Sequence, residues 1–243
     1  MGLVDLKKKA AVSLQKKGLS GQRAKVALVI DISASMDNLF SSGTVQKTCE
    51  RLLGLAMNFD DNQAADIFLF GERSHSVGEL TENNFSDFVQ KQILRKYSLE
   101  GYTRYAGVMK DVIDFYYPGQ APQNKPSLFG LFRSKKEEKE VSPAEEPVYV
   151  LFLTDGDNGD HAASEEVIRE ASKLGIFWQF VGIGRTSFNF LRNLDEMPGR
   201  HIDNANFFAL DDLNRITDEE LYDRMLTEFP SWIKEAKSKG VLK

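Results

Sequence analysis

Residues 25–35 read Lys-Val-Ala-Leu-Val-Ile-Asp-Ile-Ser-Ala-Ser, a nearly unbroken apolar, β-favouring run that ends in Asp31-Ile32-Ser33-Ala34-Ser35. An apolar run without polar alternation is the pattern of a strand covered on both faces, because neither side of its pleat is left for water. The pattern recurs in Asp66 to Gly71 (DIFLFG), Val148 to Leu153 (VYVLFL), Ile176 to Ile183 (IFWQFVGI) and Ala205 to Leu210. Ser74 to Val77 reads as a short edge strand joined to the second run by a tight turn.

Between these runs the apolar spacing becomes helical. Thr44 to Phe59 carries Val45, Thr48, Leu52, Leu55, Ala56 and Phe59 on one face, with Thr44 expected as its N-cap. Further helices are expected over Asn84 to Leu94, Tyr105 to Tyr117, His161 to Leu174, Phe188 to Asp195 and Asp218 to Lys237. The alternation of strand and helix predicts a three-layer α/β/α fold, with a doubly wound, mostly parallel, Rossmann-like sheet and one short antiparallel edge strand. Residues 1–20 form an amphipathic helix, with Leu3, Leu6, Ala10 and Leu14 set among lysines, ahead of a main unit over 21–243.

Pro118 to Pro147 breaks the pattern with five prolines and a Lys/Glu run, and is expected to be a flexible surface insertion. Within it Ser127 to Lys136 places Leu128, Phe129, Leu131 and Phe132 beside basic residues, though its shortness favours plain disorder over a membrane or partner contact.

The 243 residues, 42% hydrophobic and 28% charged, suit one ordinary globular unit, and the net charge of −5 argues against a nucleic-acid binder working by general phosphate attraction. A single cysteine, Cys49, forms no internal disulfide, so a reducing, cytoplasmic setting is expected. The N-terminus lacks a signal-peptide pattern, and no apolar run approaches membrane-spanning length.

In doubly wound sheets ligands collect at the carboxyl ends of strands, where the winding reverses and the loops diverge. Asp31, Ser33 and Ser35 end the first strand, Thr103 lies in a later loop after Gly101, and Asp155 ends the strand after the insertion. All are oxygen donors. Hard oxygen ligands select Mg²⁺, Mn²⁺ or Ca²⁺ over softer ions. Two carboxylates and three hydroxyls leave the shell of a dication incomplete and open to a carboxylate from outside.

Asp31-Ile-Ser33-Ala-Ser35, Gly101-Tyr-Thr103 and Thr154-Asp155-Gly156 together resemble, in order and in sheet position, the metal-ion-dependent adhesion site (MIDAS) of von Willebrand factor A (vWA) domains. The resemblance runs from Lys25 to Trp232. It implies one divalent cation, Mg²⁺ foremost with Mn²⁺ or Ca²⁺ as alternatives, held by the Ser33, Ser35 and Thr103 hydroxyls, with Asp31 and Asp155 binding directly or through water. It also implies a protein partner that offers a Glu or Asp to the ion. Phe59-Asp60-Asp61, Asp66-Ile-Phe-Leu-Phe70 and Thr154-Asp-Gly-Asp-Asn158 are similar to the intracellular bacterial subgroup associated with tellurium resistance and stress, TerF-like, in which the domain is an interaction module rather than an enzyme.

Other polar residues carry less. Asp157, Asn158 and Asp160 stand either in an outer shell or simply in solvent, and Asp37, Asp60, Asp61 and Asp66 read as turn or helix-start residues. His75, His161 and His201 lack zinc or triad spacing. Gly182-Ile-Gly184 reads as a plain turn, and there is no phosphate-cradling or nucleophile-elbow motif. The alternatives to an interaction module are a Mg²⁺-dependent phosphohydrolase with Asp31 as nucleophile, disfavoured by Ser at position 33, and a metal-free scaffold.

Overall fold

The computed structural model describes residues 2–122 and 142–243. Six strands form one sheet: β1 (Lys25–Asp31), β2 (Ala65–Phe70), β3 (Ser74–Leu80), β4 (Val148–Thr154), β5 (Ile176–Ile183) and β6 (Ala205–Leu210), in the order β3-β2-β1-β4-β5-β6. All pair in parallel except β3, which is antiparallel to β2 at the edge. The helices are α1 (Leu3–Lys16), α2 (Asp37–Ser41), α3 (Thr44–Phe59), α4 (Tyr105–Tyr116), α5 (His161–Ala171), α6 (Asn189–Glu196), α7 (Asp218–Met225) and α8 (Phe229–Ser238).

The unbroken apolar strands are explained by two cores, one on each face of the sheet. Along β1, Val26, Leu28 and Ile30 point into the core under α1, α3, α7 and α8, while Ala27 and Val29 point into the core under α4, α5 and α6. In β4, Tyr149, Leu151 and Leu153 alternate with Val148, Val150 and Phe152 in the same way. The three-layer α/β/α architecture expected from the alternation is therefore present. Arg51 in α3 and Lys9 in α1 both bond the Asp218 carboxylate at the start of α7, at 2.8 and 2.9 Å, which ties three helices of one layer together.

Several local expectations are corrected. The N-cap of α3 is Gly43, at φ 75°, and Thr44 is instead the first helical residue, its hydroxyl bonded to those of Ser42 and the Asn214 amide. Asn84 to Leu94 is not one helix: a Thr81–Asn84 turn and Asp87 at φ 57° precede a short π-helical segment, Val89–Leu94. Asp218 to Lys237 divides into α7 and α8, with Pro230 in the first turn of α8, where its missing amide costs no helical bond. The edge strand extends to Leu80.

Part of the expected insertion belongs to the fold. Ala144 pairs with Leu242, and the Pro147 carbonyl accepts from the Lys25 amide at 2.9 Å, leading the chain into β4 beside β1. Ser127 to Lys136 lies outside the described residues. Among those described, no helix is long and apolar enough to cross a membrane.

Candidate metal centre

The chain leaves β1 for β2 and β3 on one side, then returns to place β4 on the other, so the winding reverses between β1 and β4. Register sets Ile30 beside Leu153, which brings Asp31 and Thr154, the last residues of the two strands, to the rim of that crevice.

A continuous line of hydrogen bonds joins the rim. Asp31 is fully buried; its Oδ1 accepts the Ser33 amide at 2.6 Å and its Oδ2 accepts the Thr154 hydroxyl at 2.6 Å. The Ser33 and Ser35 hydroxyl oxygens are 3.0 Å apart, and the Ser35 hydroxyl donates to Asp155 Oδ1 at 2.8 Å. Burial pushes the Asp31 carboxyl up to about 6 against the bonds from Ser33 and Thr154, and the Asp155 charge adds to the rise. Burial likewise raises Asp155, against the bond from Ser35. A nearby cation favours the ionised form of both.

Thr103 is placed differently. Its carbonyl accepts the Gly159 amide at 2.9 Å, which seats its loop against the loop that follows β4. Its hydroxyl makes no hydrogen bond to Asp31, Ser33, Ser35 or Asp155. The structure thus links Ser33, Ser35 and Asp155 side chain to side chain, ties Asp31 to them through the Ser33 amide, and holds the fifth residue on the adjoining loop.

Several supporting residues were not singled out by sequence. Tyr105 donates to the Gly156 carbonyl at 2.7 Å and lies 3.3 Å from the Thr154 hydroxyl, and Thr186 donates to the Asp155 carbonyl at 3.0 Å. Glu100 extends the sheet by one rung: its amide donates to Ile32 at 2.8 Å and its carbonyl accepts from Ala34 at 2.9 Å. The Glu100 carboxylate accepts the Arg73 amide at 2.8 Å and lies 3.0 Å from His75 Nε2. Burial works against its charge, yet the amides of Arg73 and Glu72 and the His75 ring outweigh it and hold the carboxyl below its usual range. Gly71 permits this packing, since a Cβ there would lie 2.7 Å from that of Glu100.

The acidic loop after β4 has structural work. Asp160 accepts the Tyr105 and Ala106 amides at 2.9 and 3.0 Å, capping α4, and Asn158 donates to it at 2.6 Å. Asp157 bonds His161, whose ring stacks on Phe190 with centroids 3.9 Å apart. Cys49 is buried, and Gly182 packs beneath the Phe188 ring.

The donor set suits a hard cation. Neighbouring oxygens in an octahedral Mg²⁺ shell lie about 2.9 Å apart, the edge generated by bonds of about 2.0–2.1 Å. The Ser33–Ser35 and Ser35–Asp155 oxygen separations of 3.0 and 2.8 Å match that edge. Among the described residues no group of three or more His, Cys, Asp or Glu could hold a metal. Any ion at this rim therefore depends on the hydroxyls.

Comparison with solved structures finds the same fold. The chain matches proximal thread matrix protein 1 from the mussel byssus with a TM-score of 0.57 at 13% identity, over 84% of this chain and 47% of that one. A second structure of that protein, with a zinc-occupied MIDAS motif, matches at 0.50 and 14% identity, over 88% and 50%. A von Willebrand factor type A protein from Catenulispora acidiphila matches at 0.53 and 12% identity, over 85% and 42%. The chain spans half or less of the length of these solved proteins. These define the class as a vWA-type α/β domain. The profile described as "vWA-TerF-like: vWA found in TerF C terminus" matches residues 23–242, and the chain belongs to that family. Among curated proteins it is 37% identical over 246 residues to the uncharacterized protein YcbR of Bacillus subtilis (strain 168), covering all of this chain and 91% of that one.

Proposed function

We propose that this chain is a metal-dependent protein-interaction module. One divalent cation is held by Ser33, Ser35, Thr103 and Asp155 with Asp31 behind them, and a partner protein completes the site with a Glu or Asp. vWA domains are typically interaction modules. The observation that carries the metal reading is the run of Ser33, Ser35 and Asp155 oxygens at 3.0 and 2.8 Å on the strand-end rim.

Mg²⁺ is the preferred ion, with Mn²⁺ or Ca²⁺ as substitutes, because every donor is a hard oxygen. The zinc-occupied MIDAS of the mussel protein supports a divalent cation at this rim. When bound, the ion supplies a Lewis-acid position for an incoming carboxylate. The chain's own residues fix the geometry: Asp31 anchors the Ser33 amide, while Tyr105 and Thr186 hold the backbone of the Asp155 loop. The TerF-like family description supports a stress or tellurium-resistance-type setting, and the Bacillus subtilis relative supports a bacterial one.

The geometry disfavours a phosphohydrolase. Asp31 has no solvent exposure, and each of its oxygens is already held by a donor, Ser33 or Thr154, so it is poorly placed to attack a substrate from outside. The test is thermal melting with Mg²⁺ or Mn²⁺ titrated into wild type and Asp155→Ala. Native-state binding stabilises wild type by about 2.7 kcal/mol at a hundredfold excess over Kd, and the variant melts cooperatively with no metal response. A wild type that ignores both ions would make the cluster a hydrogen-bonded scaffold instead.

A further inference from the structure

Resting on the metal reading above, we infer that the partner's carboxylate arrives on an acidic, extended segment lying in a basic groove beside the ion. The groove has a volume of about 670 Å³ and runs between the β2–β3 turn and the first half of α4, lined by Arg73, Arg104, Lys110, Glu72 and Asp160 among others. A smaller recess of about 370 Å³, lined by Tyr102 and Thr103, shares Arg104 and Gly159 with it. The groove therefore opens directly onto the Thr103 loop.

Its charge is unusual for this molecule. The chain as a whole carries −5, yet three of the groove's charged side chains are cationic. The two acids facing them are unequal. Of these, Asp160 spends both oxygens on the α4 amides and Glu72 is an exposed carboxylate; Asp111 borders the groove through its bond from the Ser74 hydroxyl, and Asp157 lines the adjoining recess, bonded to His161. Arg104 is exposed and makes no ion pair among the described residues. Arg73, with 78% of its side chain exposed, stands 3.7 Å from a Glu100 oxygen that His75 already approaches at 3.0 Å. So long a contact, with its guanidinium in solvent, contributes little and leaves Arg73 able to meet another carboxylate.

Guanidinium groups bind carboxylates in paired, charge-assisted hydrogen bonds, and complementary charge across a surface selects the partner and speeds its arrival. One acidic side chain would reach the ion past Thr103 while others meet Arg104 and Arg73. Tyr102, 67% exposed at the junction, offers an apolar rest for the segment.

The test is fluorescence anisotropy with a labelled Glu/Asp-rich dodecapeptide and its Gln/Asn counterpart. The protein is the full chain as wild type, as Arg73→Glu/Arg104→Glu, and as Lys8→Glu/Lys234→Glu, which reverses two exposed charges on the opposite helical layer. Wild type is expected to bind the acidic peptide, and to prefer it over the amide peptide, at least tenfold better than the arginine variant does. The lysine variant stays within about twofold of wild type, and the Mg²⁺ melting response is the same in all three. Equal binding by wild type and the arginine variant, no binding of the acidic peptide, or preferential binding of a labelled single-stranded oligonucleotide overturns the inference. The two readings fail separately: loss of the Mg²⁺ melting response sinks the ion site, whereas loss of arginine dependence alone sinks the groove.

Discussion

Thr154, the last residue of β4, donates its hydroxyl proton to Oδ2 of Asp31, the last residue of β1, at 2.6 Å inside the sheet. The Ser33 amide satisfies the other oxygen. A carboxylate with no exposure is tolerated here because each oxygen has a donor.

Thr154→Val keeps the shape and removes one of those donors. It is expected to cost about 1–3 kcal/mol in urea unfolding, the penalty for leaving a buried acceptor unpaired, whereas Thr154→Ser costs less than about 1 kcal/mol. Equal stability of wild type and the valine variant would show that another group takes over the Asp31 oxygen.

Gly71 and Glu100 make a second close approach. Gly71→Ala pushes a methyl group to within 2.7 Å of the Glu100 Cβ, and the displaced residue is the one whose backbone braces Ile32 and Ala34. Overpacking of this kind costs about 1–3 kcal/mol. Gly101→Ala, where a Cβ would meet nothing within 4 Å, is expected to be near neutral, and paired denaturation curves check both.

Stability should also depend on pH at the opposite end of the sheet. Burial, then Glu228 and Asp203, push the Asp195 carboxyl up to about 7, against the opposing charge of Arg200. A carboxyl raised on folding binds its proton more tightly in the native state. Its contribution is complete below the unfolded value of about 4 and is lost as pH rises through about 7. With allowance for solvent screening, wild type loses roughly 1–3 kcal/mol over that window through this group. Asp195→Asn is expected to flatten the decline, measured as melting temperature against pH; an unchanged slope would place the dependence elsewhere.

The sheet was legible because burial on both faces leaves its mark within each strand: Val26 to Ile30 and Val148 to Leu153 need no partner to be recognised. The rim was legible because Asp31, Ser33, Ser35 and Asp155 sit immediately after those runs. What sequence could not show was set by distant partners. Nothing local to Glu100 announces that it pairs with Ile32 and Ala34, and Asp160 reads as one acid among several until its oxygens meet the α4 amides. The left-handed Asp87 likewise breaks an apolar spacing that looked helical through Asn84 to Leu94.

β1 and β4 are neighbours in space but separated in sequence by β2, β3 and α4, so Ser35 meets Asp155 across 120 positions. Loop closure over such a span comes late, after local elements have formed. During synthesis, a nascent chain that has emerged only through α4 already displays Asp31, Ser33 and Ser35, yet lacks the strand that completes the rim. The rim is thereby completed only once the C-terminal half has been made.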